Sequence, residues 1–111
     1  MLIHEFITVR REEIINEASY KLIQDKECVR ISDDIIVNND DFLSCFKSHW
    51  WYIGNIHEGL DYHGITIILN DDLEEFIGTL NNYKHVTEIQ NLISLCVSAI
   101  EQDKDIVHFG I

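Results

Sequence analysis

The chain has 111 residues, with 20 acidic and 8 basic side chains and a formal net charge of −12 with histidine neutral. That length suits one domain spanning residues 1–111, and a 46% hydrophobic share is enough to build a core despite the charge. Phosphate contacts need clustered Lys and Arg, so the composition argues against direct binding to nucleic acid and against an anionic membrane surface.

Residues 2–9 (Leu-Ile-His-Glu-Phe-Ile-Thr-Val) fit a strand or a helical face. The β-branched Ile7-Thr8-Val9 favours the strand. Residues 10–25 read as a helix with Ile14, Ile15, Ala18 and Leu22 on one face. Cys28–Ile31 and Ile35–Val37 are short strand candidates around a Ser32-Asp33-Asp34 turn. Asn38 or Asn39 can cap the next helix, with Asp40 and Asp41 in its first turn. Phe42, Leu43, Phe46, His49 and Trp50 then share one helical face. Two strands, about 50–57 and 61–69, flank Glu58-Gly59, which reads as a hairpin turn. Ile65–Leu69 is apolar on both faces, which predicts a central strand.

Asn70 is placed to cap a helix that carries Leu73, Phe76, Ile77 and Leu80 inward and ends near Asn81-Asn82. In the last helix Thr87 and Gln90 can form a capping box. Its stripe is Val86, Ile89, Ile93, Cys96, Val97 and Ile100, widened by Leu92 and Ala99. Ile106–Phe109 predicts a final strand. The expected fold class is α+β, a single domain with a small mixed or antiparallel sheet packed with three or four helices.

No apolar run approaches the roughly 20 residues of a membrane span. The amino-terminal residues lack a basic region followed by an apolar one, so no signal peptide is expected. Three well-separated cysteines, Cys28, Cys45 and Cys96, suggest reduced thiols and a cytoplasmic protein.

His57 and His63 enclose Glu58 and Asp61, a set of N and O donors that zinc accepts, but the spacing matches no zinc signature. The plainer reading is a pair of surface or half-buried hairpin histidines, with no metal or cofactor. Cys45 and His49 stand four apart on the predicted helix, yet on its core face, where a thiol is ordinarily just a small apolar group. Adjacent Asp pairs sit where helix starts are expected, which explains them without catalysis. No catalytic residue is therefore assigned.

The charge is uneven. Residues 32–83 hold ten acids against Lys47 alone, a net −9. Acids in first helical turns account for part of this and not for the missing bases. An acidic interaction surface follows, built from Asp33, Asp34, Asp40, Asp41, Glu58, Asp61, Asp71, Asp72, Glu74 and Glu75, with Trp51 or Tyr62 as an aromatic anchor.

The segment Leu60-Asp61-Tyr62-His63-Gly64-Ile65-Thr66-Ile67-Ile68, the acidic helix and second helix after it, and the ending Ile106-Val107-His108-Phe109-Gly110-Ile111 resemble a group of small bacterial proteins. These are the immunity proteins of contact-dependent growth inhibition and related polymorphic toxin systems. The resemblance covers residues 51–111 and carries no shared functional residues. It implies an antitoxin that binds one cognate toxin C-terminal domain inside the cell, a basic domain and commonly a nuclease. Two other readings remain open: an acidic phage-type inhibitor or adaptor, and a small metal-dependent hydrolase using His57, His63 and nearby acids.

Overall fold

The computed structural model describes residues 2–14 and 28–111. Six strands form one antiparallel sheet: β1 (Ile3–Val9), β2 (Cys28–Ser32), β3 (Lys47–Trp50), β4 (Ile56–Glu58), β5 (Ile65–Ile68) and β6 (Asp105–Phe109). Their order across the sheet is β2-β1-β6-β5-β3-β4. Three α-helices lie among the described residues: α1 (Asp33–Val37), α2 (Leu73–Asn81) and α3 (Thr87–Glu101). The domain is thus α+β, as its sequence predicts.

Strand alternation sorts the side chains. Phe6, Ile31, Ile68 and Ile106 face α2 and α3 and pack with Leu73, Phe76, Leu80, Ile89, Leu92 and Cys96. Ile7, Val9, Ile65, Ile67 and Val107 form a second apolar cluster on the opposite face. The three central strands are therefore apolar on both sides, which explains the unbroken run Ile65–Leu69. Within residues 2–9, Ile3–Val9 forms a strand rather than a helix. Of the helix expected over 10–25, a 3₁₀ turn at Arg11–Glu13 is present, and residues 15–25 lie outside the described residues. Arg11 makes two hydrogen bonds, 2.6 and 2.9 Å, to the buried Asp105 carboxylate, which also accepts the Asn70 N–H at 2.7 Å.

Several expectations are corrected. Residues 35–37 belong to helix α1, not to a strand. Ser32 is extended, and Asp33 and Asp34 supply the acidic first turn that favours a helix there. The helix expected from residue 38 to Trp50 stops after one 3₁₀ turn, Asp40–Leu43. Phe42 and Phe46 are still buried, but Lys47–Trp50 pairs with two strands instead of continuing the helix. The hairpin also shifts. β3 pairs with β4, so the chain reverses at residues 51–55, while β5 lies on the other side of β3. Asn70 does not cap with its side chain, which donates to the Ala99 and Lys104 carbonyls. The Thr87–Gln90 capping box is absent because Val86 occupies the cap and Gln90 donates to the Lys84 carbonyl. In α3, Leu95 joins the buried stripe and Val97 turns outward.

Gly59 does not turn a hairpin, but it has φ +73, and a Cβ built there would sit 2.0 Å from the Leu43 carbonyl carbon. Its N–H donates to Phe46 O, and the next N–H, of Leu60, donates to Phe42 O. Gly59→Ala is expected to lower unfolding stability by more than the roughly 1–2 kcal/mol of left-handed backbone strain alone, read by urea denaturation.

Candidate partner-binding surface

The predicted acids divide into two groups. Asp34, Asp40, Glu58, Asp71, Glu74 and Glu75 are exposed, and Asp72 is half-buried. Asp33, Asp41 and Asp61, and the exposed Glu75 as well, accept hydrogen bonds within the fold. Asp41 accepts the Tyr83 hydroxyl at 2.8 Å, which pushes that phenol up to about 12. Asp61 accepts the Trp51 indole N–H at 2.9 Å. Glu75 accepts the Lys47 backbone N–H. Asp33 and Tyr62 are bonded to each other at 2.6 Å.

That last pair is the outer end of a buried chain that spacing alone does not reveal. Asp33 Oδ1 also accepts from His4 Nε2 at 2.9 Å. His4 Nδ1 lies 2.8 Å from His108 Nε2, and His108 Nδ1 lies 3.2 Å from Thr66 Oγ1. Thr66 Oγ1 in turn accepts the Asp61 N–H at 2.7 Å. His4, His108 and Thr66 are each fully buried. With both imidazoles neutral, one assignment satisfies every member. Thr66 donates to His108, His108 donates to His4, and His4 donates to Asp33. Burial, and then the neighbouring His4, holds His108 well below the ordinary imidazole range. The hydrogen bonds from Tyr62 and then His4 hold Asp33 below the usual carboxylate range. The buried chain joins β1, β6, β5 and α1 to the loop carrying Asp61 and Tyr62. The available sequence clue was a histidine at an inward position of each strand, in Ile3-His4-Glu5-Phe6 and Val107-His108-Phe109.

His57 and His63 are not brought together as ligands. His57 stacks on Trp50, with ring centres 3.9 Å apart, while His63 packs edge-on against Tyr62. Among the described residues no group of three or more His, Cys, Asp or Glu is placed to hold a metal ion. Cys45 is exposed in a loop and His49 is buried on β3, so the proposed helical pair does not exist. His49 Nδ1 accepts the Gly54 N–H at 2.9 Å, leaving Nε2 without a hydrogen-bond partner.

Beside the edge strand β4 lies an open cleft of about 510 Å³, lined by Ser44, Cys45, Phe46, Lys47, Ile56, His57, Glu58 and Glu75. Next to it the β3–β4 hairpin turns Trp51, Tyr52, Ile53 and Ile56 toward solvent. Among the described residues no helix is long and apolar enough to cross a membrane. Comparison with known proteins finds no matching family model, no similar curated protein and no similar solved structure.

The buried chain has a pH signature. The unfolded chain protonates His108 near its ordinary value of 6.5, and the folded chain does not. The unfolded state therefore binds more protons below that pH, and stability falls as pH drops through it. Asp33, whose folded carboxyl titrates below its ordinary 3.8, adds a second loss in the same direction at lower pH. His108→Gln should be less stable at pH 7 and show a shallower loss between about pH 6.5 and 5, followed by urea denaturation across that range. An unchanged slope would assign the acid sensitivity to another group.

Proposed function

We propose that this chain is an immunity protein that binds a cognate basic toxin domain in the cytoplasm and neutralises it by steric and electrostatic occlusion, without catalysis. The supporting observation is the acidic surface. Asp34, Asp40, Glu58, Asp71 and Glu74 are exposed in a stretch, residues 32–83, whose only base is Lys47. Such a field repels polyanions, attracts basic proteins and raises their association rate. A nuclease fits as the toxin, because the groove that holds its phosphates is itself basic. The resemblance of residues 51–111 to immunity proteins of contact-dependent growth inhibition points the same way.

The test is capture of the C-terminal domain encoded immediately upstream, at low and moderate salt. A tight complex that weakens with salt is expected, and no complex at either salt overturns the reading. Neutralising exposed acids whose carboxylates accept no hydrogen bond from the described residues (Asp34→Asn, Asp40→Asn, Asp71→Asn and Glu74→Gln together) should slow association about tenfold at low salt and flatten its salt dependence. Surface plasmon resonance reads both. The same variant should retain the melting temperature of the unaltered chain or exceed it, because like-charge repulsion is relieved.

A further inference from the structure

We infer that the β3–β4 hairpin is the anchor of the protein interface, and that the partner it fits presents an apolar pocket edged by Lys or Arg side chains. This rests on the reading of the chain as a binder of a basic toxin domain, and it moves the affinity from the acids to the hairpin. Trp51, Tyr52, Ile53 and Ile56 are 40%, 63%, 40% and 62% exposed and sit within six residues of one another. Apolar side chains gathered in this way on an otherwise charged surface mark an interaction site.

The tip is also held in place. Trp51 has φ +70, a left-handed conformation that is unfavourable for a bulky aromatic residue. Local bonds stabilise it. The Trp51 N–H donates to Ile65 O at 2.9 Å, and its indole N–H donates to Asp61 Oδ2 at 2.9 Å. Gly64 leaves room for the ring, since a Cβ there would fall 2.8 Å from Trp51 Cζ2. The Trp50 N–H donates to Asn55 O, the Asn55 side chain donates to Trp50 O, and the Gly54 N–H donates to His49 Nδ1. The N–H groups of Trp51, Tyr52, Gly54 and Asn55 are thus satisfied internally while the large side chains of the turn stay in water. A surface ordered before binding loses little entropy on binding, which is how aromatic anchors contribute most.

Charge selects the partner. Asp61 accepts from the Trp51 indole N–H, and the cleft alongside Ile56 carries Glu58 and Glu75 against Lys47. An apolar pocket with a basic rim matches both features, with one Lys or Arg entering the cleft.

The test uses the full chain and the upstream C-terminal domain. Tyr52→Ser with Ile56→Thr alters two exposed side chains, so the melting temperature should hold. Affinity should fall at least about tenfold with its salt dependence unchanged, the reverse of the neutralised-acid variant. In the complex, Trp51 fluorescence should shift to shorter wavelength and become shielded from acrylamide. Affinity within twofold of the unaltered chain, or a Trp51 signal unmoved on binding, overturns the hairpin as anchor and leaves the immunity reading standing. No complex with the unaltered chain removes both.

Discussion

The carboxylate of Asp33 is the constraint on which the rest of the structure depends. It accepts from the Tyr62 hydroxyl and from His4, and through His4 it fixes the tautomers of His4 and His108. Two histidines at hydrogen-bond distance inside a protein would repel as cations and would leave a proton unplaced if their tautomers were not fixed. One acceptor at the end of the line sets the direction of the donors, and burial keeps His108 neutral. Because the members come from β1, α1, β5, β6 and the loop before β5, satisfying their hydrogen bonds also fixes how these parts meet. Buried polar groups of this kind contribute uniqueness of packing more than raw stability.

The protein's acidity therefore has two physical characters. Asp33, Asp41, Asp61, Glu75 and Asp105 accept hydrogen bonds that hold loops and strands in place. Asp34, Asp40, Glu58, Asp71 and Glu74 are in water, where they set the long-range field, and the exposed Glu75 belongs to both groups. The first kind builds the surface, and the second sets its potential. The hairpin bearing Trp51 stands where the two meet, since Asp61 both supports the indole and contributes charge.

What was legible in the sequence follows from period and length. β5, β6 and the helices α2 and α3 carry long or unambiguous apolar patterns, while residues 2–9 also fit a helical face and only the β-branched Ile7-Thr8-Val9 favours the strand β1 that forms. The middle of the chain was harder because its elements are short. Phe42, Phe46 and Trp50 repeat every four residues, which suits a helix and equally suits a turn followed by a strand. Local periodicity could not separate these, and the pairing of β3 with both β4 and β5 decided it. Asp33 and Asp34 similarly read as a turn until the helix beginning at them is seen. Among the proposed contact residues, exposure could not be read from charge. The half-buried Asp33 is engaged by His4 and by Tyr62, each 29 residues from it in sequence.

The place of β6 has a consequence for how the protein is made. β6 lies between β1 and β5, and the His4–His108 bond joins residues 104 positions apart. During synthesis β1 is available early but lacks its inner neighbour until residue 109 has emerged from the ribosome. The centre of the sheet therefore closes after translation of this segment, not during it. Until then an apolar strand has unpaired backbone groups on its inner edge, and such non-local pairing is intrinsically slow to form.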